Sequence, residues 1–252
     1  MTKNWNDAQE NEKVFWENIY LNDVNDISTY KKINNSDAIE FSIKTLSRHL
    51  ISYEHLDSKK ILDVGCGPYG ILKGLAHLME GGTVNYKLIG IDPLMNFYKT
   101  LKNYPESINL ELYETQGENL PFADSSMDYV FSTNVLDHVE NPEKVVLEIS
   151  RVIKDKGVFC PSVHVVRPYL RLLAPFIKYF DKNHPHHFTE DTFSTILSKG
   201  FKNIKVVNKI TMFEDHPEFQ LRHITKSPNI LRGLKRYISN WVLYSVYFNC
   251  SK

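Results

Sequence analysis

Acidic residues and glycines between positions 61 and 92 carry the clearest chemical signal in the chain. Gly65, Gly67 and Gly70 form a GxGxxG pattern directly after an apolar run. Glycines leave the backbone N–H groups of a turn open to a ligand, and a helix that starts beyond the turn adds partial positive charge. Asp92 ends the next apolar run, at the separation expected of an acid that binds ribose. The spacing predicts a nucleotide-type site at the ends of two neighbouring parallel strands.

A second acid, Asp63, narrows the kind of ligand. It lies inside the strand end, two residues before Gly65. A carboxylate at this place repels a pyrophosphate and attracts a cationic amino group. The pattern therefore favours a ligand with an amino group over a dinucleotide.

Further motifs follow the glycine turn in a fixed order. They are QGENLPF at 116–122, SMDYVF at 126–131, NVLDHV at 134–139 and EISRVIK at 148–154, with Gly157 after them. Together with DVGCG at 63–67, this series resembles the class I S-adenosylmethionine-dependent methyltransferases, of the broad type that includes ubiquinone and menaquinone biosynthesis enzymes. The resemblance covers roughly residues 40–210.

The resemblance implies S-adenosyl-L-methionine as the cofactor and assigns most of its contacts. In such proteins the acid at Asp63 orients the amino group, and the acid at Asp92 accepts hydrogen bonds from the ribose hydroxyls. Gln116 stands where the family usually has an acid near the adenine, which is a departure from the pattern. The implied cofactor-binding residues are Tyr20, Asp63, Gly65, Cys66, Gly67, Asp92, Pro93, Gln116, Gly117, Glu118, Asn134 and Val135.

Histidines supply the candidate catalytic groups. His138 follows the fourth core strand, and His187 belongs to a histidine trio with His184 and His186, so His138 and His187 are candidate general bases. Structural packing is the alternative for each of them. The trio has no carboxylates or cysteines at the usual ligand spacing around it, so we expect no metal.

Basic and aromatic residues after Gly157 are candidates for binding the methyl acceptor. In similar methyltransferases the segment corresponding to 165–188 is an insertion that forms the acceptor cavity. Residues 1–150 hold 13 basic and 23 acidic side chains, whereas residues 151–252 hold 17 basic and 7 acidic ones. This asymmetry suggests an anionic acceptor. The candidate acceptor-binding residues are Arg167, Tyr169, Arg171 and His186.

The elements that must position these residues alternate between strands and helices. Strands are predicted at 61–64, 87–91, 108–113, 127–133 and 157–164, and helices at 70–79, 94–103 and 142–153. Such alternation predicts an α/β fold with a Rossmann-like, doubly wound, mostly parallel sheet. We expect one methyltransferase domain over 1–252: a helical lid region at 1–57, a cofactor-binding core at 58–164, the acceptor insertion at 165–188, and a C-terminal helix, strand and terminal segment at 189–252.

Both ends of the chain leave alternatives open. The aromatic stripe of Phe15, Trp16 and Tyr20 either packs its helix onto the domain or, by the resemblance, forms a lid that places Tyr20 on the cofactor. Residues 227–252 are basic and apolar. They predict either an amphipathic helix on an anionic membrane or, as we favour, a segment docked on the sheet or on a dimer partner.

Composition limits the class of protein. The chain of 252 residues has no run of eighteen apolar residues, no secretory signal and only three cysteines, so we expect a cytoplasmic protein with a small-molecule acceptor. Scattered basic groups and the absence of a recognised module argue against nucleic acid. Either a monomer or a homodimer fits. Three functional alternatives stay open: methylation of a lipid or quinone at a membrane surface, a catalytically silent binding subunit, and an NAD(P)-binding oxidoreductase.

Overall fold

A seven-stranded sheet forms the centre of the part of the chain that the structure, a computed structural model, describes: residues 3–20, 35–68, 70–82, 84–100, 110–173, 184–211, 214, 237–238 and 240–252. Its strands lie in the order β3-β2-β1-β4-β5-β7-β6. They are β1 (Lys60–Val64), β2 (Lys87–Asp92), β3 (Leu110–Glu114), β4 (Met127–Thr133), β5 (Ile153–Val166), β6 (Asn203–Thr211) and β7 (Leu243–Ser251). Strands β1 to β5 are parallel and β7 is antiparallel to both neighbours, which confirms the predicted Rossmann-like, mostly parallel α/β fold.

The register of the parallel strands aligns the ends that carry the polar residues. Asp63 pairs with Gly90 of β2 and with Phe131 of β4, and Asp92 pairs with Glu114 at the end of β3. Strand β1 is central and almost entirely buried, and its apolar side chains pack into the cores on both faces of the sheet. The carboxyl ends of β1, β2, β3 and β4 therefore meet at one edge.

Helices cover the sheet and divide the core in two. They are α1 (Lys3–Tyr20), α2 (Asn35–Arg48), α3 (Gly70–Glu80), α4 (Met95–Thr100), α5 (Pro142–Val152) and α6 (Glu190–Leu197). Helix α5 begins where Asn141 Oδ1 accepts the Lys144 N–H at 3.0 Å and Pro142 occupies the first turn. Helix α6 begins with a capping box at Thr189. One core contains α5 and α6, and the other contains α3 and Trp16.

The C-terminal segment is a strand, so the amphipathic-helix alternative is wrong for residues 243–251. Strand β7 lies between β5 and β6, with Val246 paired to Val163 and to Lys209. Its apolar side chains are buried in the sheet, and docking on the sheet is thereby confirmed for this segment. Strand β5 also starts earlier than predicted, at Ile153. Among the described residues, no helix has the length and apolar character needed to cross a bilayer.

Close packing between α2 and α3 depends on Gly74. A Cβ atom at this position would lie 2.1 Å from the Ala38 carbonyl oxygen and 2.2 Å from Ser42 Oγ. We expect Gly74→Ala to lower the free energy of unfolding by about 1–3 kcal/mol, because the two helices must separate. Urea denaturation measures the loss. Gly81→Ala is the control, since its Cβ meets one carbonyl oxygen at 3.3 Å, and we expect a change below about 1 kcal/mol. Equal stability of the two variants would contradict the packing argument.

Candidate functional site

The glycine turn after β1 is fixed by hydrogen bonds to the end of β2. Gly65 and Cys66 both donate their N–H groups to the Ile91 carbonyl oxygen, at 2.8 and 3.1 Å, and Gly67 donates to Asp92 Oδ2 at 3.0 Å. Gly65 and Gly67 have φ values of +72° and +56°, which favour glycine. Among the described residues, no atom lies within 4 Å of a Cβ built on Gly67, so a ligand has room beside this backbone.

Asp63 and Asp92 are buried carboxylates at the ends of neighbouring strands. They are 3% and 8% exposed. Burial raises the pKa of Asp63 to about 7, with Asp92 adding to the rise, while the Ile71 N–H that donates to Asp63 Oδ2 at 3.2 Å opposes it. Burial likewise raises the pKa of Asp92 to about 7, although it accepts N–H groups from Gly67 and Leu94. Burying two neighbouring carboxylates costs desolvation free energy. Such a pair is typical of a binding site for a group that donates hydrogen bonds or carries positive charge.

Residues after β3 and β4 complete the same edge. Gln116 and Gly117 follow β3, and Gly117 packs close to Val64 and Val145. Glu118 links the loop after β3 to the residues just before α5, because its Oε1 accepts the N–H groups of Glu140 and Asn141 at 2.9 and 3.0 Å. No local spacing in the sequence indicates this link.

Asn134 has an unusual backbone conformation in the turn after β4. Its φ is +53°, and its N–H donates to the Ser162 carbonyl oxygen at 2.9 Å. Its Oδ1 is buried and finds no hydrogen-bond partner within the described ranges. Val135 packs its methyl groups against Gly65, so the turn after β4 directly supports the glycine turn. Asn adopts a positive φ more readily than most residues, so its place after a strand end is the signal in the sequence that indicates this turn.

Helix α1 lies near these strand ends, although the placement of the Tyr20 side chain is outside the described residues. Glu12 of α1 is close enough to Asp92 to raise its pKa further. Lys13 lies over the Phe97 ring with its Nζ 5.7 Å from the centroid. Trp16 is buried in the second core, as the packing alternative for the aromatic stripe expected. Cys66 also directs its side chain into this core, so only its backbone faces the turn. Pro93 lies in the turn after Asp92.

The proposed acceptor residues fall into two groups. Arg167, at the end of β5, lies over the Tyr244 ring at 5.8 Å and its Nη2 donates to the Asn240 carbonyl oxygen at 3.4 Å. Tyr169 and Arg171 are exposed on the 3-10 turn that follows. His186 is instead engaged with the turn after β4, and residues 174–183 of the predicted insertion lie outside the described part of the chain.

Three histidines and one acid lie close together beside the turn after β4. His186 donates its backbone N–H to the Asp137 carbonyl oxygen at 3.2 Å, and its Nε2 lies 3.0 Å from the Val139 carbonyl oxygen. This double contact brings Asp137, His138 and His184 together, with their ligand atoms within 4.8 Å of one another. The sequence has no matching pair of carboxylates or cysteines at the usual ligand spacing around the histidine trio, whereas the fold brings Asp137 to His184. His187 lies behind this group, with its ring centroid 6.3 Å from that of His184.

The sheet order, the glycine turn and the paired acids define the class of protein. Residues 62–160 match the family described as "Methyltransferase domain". In strand order and in the acids at the strand ends, this region resembles the class I S-adenosylmethionine-dependent methyltransferases.

Known proteins similar to this chain agree with that class. A thiol S-methyltransferase, TMT1B of Rattus norvegicus, is 35% identical over 48% of this chain and 53% of its own length. The chain thus spans about half the length of the curated relatives it matches. Among solved structures, a putative sarcosine dimethylglycine methyltransferase from Galdieria sulphuraria aligns with a TM-score of 0.64 and 13% identity, over 97% of this chain and 98% of that one. A phosphoethanolamine N-methyltransferase 2 of Haemonchus contortus, solved with phosphomonomethylethanolamine and S-adenosylhomocysteine, aligns with a TM-score of 0.61 and 15% identity, over 96% and 57% of the two chains.

Proposed function

We propose that the protein binds S-adenosylmethionine at the carboxyl ends of β1 and β2 and methylates an oxygen, nitrogen or sulfur atom of a small molecule. The observation that carries this proposal is the pair of buried acids, Asp63 and Asp92, on either side of a turn whose Gly67 backbone is open. When bound, the cofactor supplies an electrophilic methyl group on a sulfonium. The family resemblance, the domain match and the relatives named as methyltransferases all support this activity.

The residues present fit such a cofactor. Asp63 is assigned to the cationic amino group, because a buried carboxylate of raised pKa gains most from a positive partner. Asp92 still has lone pairs for two ribose hydroxyls, since each of its oxygens accepts one backbone N–H. Asn134 Oδ1, Gln116 and the Val135 backbone are assigned to the remaining polar groups. Tyr20 stays a proposed lid contact from α1.

The acceptor side of the site aligns and shields the nucleophile. Methyl transfer needs an in-line approach and exclusion of water, and alignment supplies much of the rate. The nucleophile forms a bond to the methyl carbon while the carbon–sulfur bond breaks, and its proton leaves to a base or to solvent. We propose an anionic acceptor met by Arg167 and Arg171. The TMT1B relative, named for thiols, adds sulfur to the acceptor atoms to be screened.

One specific observation favours a second function. Ile238 and Trp241 are 50% and 55% exposed just before β7, which keeps a lipid or quinone acceptor at a membrane surface as the second candidate. A silent binding subunit would retain the acids without turnover. The cytosol remains the proposed location, and Cys160 and Cys250, which form no disulfide in the described part of the chain, support it.

Calorimetry of the purified protein tests the proposal. We expect S-adenosylhomocysteine to bind with one site per chain at pH 8 and NAD to give no measurable heat, because Asp63 repels a pyrophosphate. A methyl-transfer screen over thiols, phenols and anionic amines then identifies the acceptor. Binding of NAD without binding of the nucleoside would contradict the assignment of both acids.

A further inference from the structure

The turn after β4 and the segment 184–188 place three metal-ligand side chains around one point. Asp137 Oδ2 lies 4.0 Å from His138 Nε2 and 4.0 Å from His184 Nε2. The two imidazole rings have centroids 4.5 Å apart. These separations are too long for hydrogen bonds between the acid and either ring, yet small shifts of the side chains would let all three atoms reach one ion.

Asp137 is the residue that makes this cluster unusual. It is only 4% exposed, and its Oδ1 is buried without a hydrogen-bond partner in the part of the chain that the structure describes. A buried carboxylate with an unused oxygen is expensive, because its lost hydration is not replaced. Oδ2 is the oxygen that faces the two imidazoles, so a cation that both carboxylate oxygens and the two rings hold would replace the lost hydration. His138 and His184 keep about a third of their side chains exposed, which gives an ion a path from solvent.

The backbone holds the ligands in place independently of the side chains. His186 is hydrogen bonded through both its backbone and its ring to residues 137–139. Val166 donates its N–H to the Phe188 carbonyl oxygen at 2.8 Å, which fixes the far end of the segment on β5. The segment that follows His184 is thus anchored at two points, residues 186 and 188, which holds His184 close to Asp137 as a ligand site requires.

We propose that Asp137, His138 and His184 bind one divalent transition-metal ion of the zinc type. Two imidazoles and one carboxylate favour zinc over magnesium and calcium, which prefer oxygen ligands. Three protein ligands leave a coordination position open, as in catalytic zinc sites. His138 is then a metal ligand and does not act as a general base.

The location of the site suggests what the open position binds. The turn that carries Asp137 and His138 also carries Val135, which packs on Gly65 of the glycine turn. The ion therefore lies beside the proposed cofactor site, and this step rests on the proposed function. An acceptor thiol or hydroxyl that coordinates the ion has its pKa lowered and releases its proton to solvent. The acceptor class is thus a small thiol or hydroxyl compound presented as its anion.

Direct metal binding tests the site without any methyl transfer. The full chain, stripped with a chelator, is titrated with Co²⁺ followed by absorption, and with Zn²⁺ in competition. We expect one ion per chain, and at least about a 100-fold loss of Zn²⁺ affinity in His184→Ala and Asp137→Asn. His55→Ala is the matched control, because His55 is exposed before β1, at the opposite edge of the sheet, and should bind Zn²⁺ like the wild type. Weak binding that His184→Ala does not change would overturn the site.

S-adenosylhomocysteine calorimetry on the same samples separates the two proposals. His184→Ala should bind the nucleoside like the wild type, which also shows that the variant is folded. If the wild type binds zinc but not the nucleoside, the proposed function fails and the metal site stands. If the stripped wild type methylates thiols and phenols as fast as the zinc-loaded protein, the acceptor role of the ion is wrong.

Discussion

Replacing Asp63 with asparagine is expected to weaken binding of S-adenosylhomocysteine by roughly 30-fold or more, because a buried carboxylate paired with a cationic amino group is lost. The same change should stabilise the cofactor-free protein at pH 8. Both effects have one cause, which is the burial of Asp63 at 3% exposure beside Asp92. Few single substitutions in the chain are expected to move affinity and stability so far in opposite directions.

The pH dependence of stability has a definite sign. In the unfolded chain the Asp63 carboxyl has its ordinary pKa of 3.8, whereas burial raises its pKa to about 7 in the fold. Between these values the native state holds the extra proton, so the free energy of unfolding falls as pH rises from 4 to 7. Above pH 7 the Asp63 carboxylate is ionised in the fold, and the full desolvation cost of that charge lowers the free energy of unfolding. Asp63→Asn removes it, with an expected gain of roughly 1–4 kcal/mol at pH 8 and almost none near pH 4.

Urea denaturation at pH 5 and pH 8, together with calorimetry, measures both effects. Asp128→Asn is the control, because Lys154 and the Lys60 N–H bind that carboxylate and hold its pKa below the usual range. Asp128 lies near the start of β4, away from the strand ends, so its replacement should lower stability and leave nucleoside affinity unchanged. A loss of stability at pH 8 in Asp63→Asn would contradict the raised pKa.

Local signals in the sequence were sufficient to predict the parallel half of the sheet. Apolar runs before Gly65 and up to Asp92 predicted β1 and β2, and the acids at their ends share one edge as expected. The capping box at Thr189, where α6 begins, is a signal of the same local kind, because a capping residue acts within one turn. These features depend on residues that are close in sequence, so a single chain reveals them.

Features that depend on distant residues could not be predicted in the same way. The segment from Leu243 to Ser251 is apolar nearly throughout and has no clear helix or strand period, and its place between β5 and β6 follows only from the finished sheet. The contact of Asp137 with His184 joins residues far apart in the chain, and no local spacing signals it. The positive φ of Asn134 likewise depends on the Ser162 carbonyl oxygen of β5.

The glycines of the turn are expected to have separable roles. A Cβ on Gly65 would lie 2.3 and 2.6 Å from the two methyl groups of Val135, at a φ of +72°. Steric overlap and backbone strain together should lower the free energy of unfolding of Gly65→Ala by about 2–5 kcal/mol. Gly67 has a φ of +56° and open space around it, so Gly67→Ala should cost only about 1–2 kcal/mol.

Among folded variants, Gly67→Ala should lose more cofactor affinity than Gly65→Ala. The methyl group added at Gly67 occupies the open side of the turn, whereas the one added at Gly65 faces Val135. Adding Val135→Ala to Gly65→Ala removes the two shortest contacts and leaves the Val135 Cβ at 3.0 Å, so a partial rescue of stability is expected. The same addition to Gly67→Ala should only add its own cost, since those sites do not clash. Urea denaturation of five variants, the three single ones and the two double ones, completes both cycles. Rescue of Gly67→Ala by Val135→Ala, or its absence for Gly65→Ala, would show that the turn is held by something other than this contact.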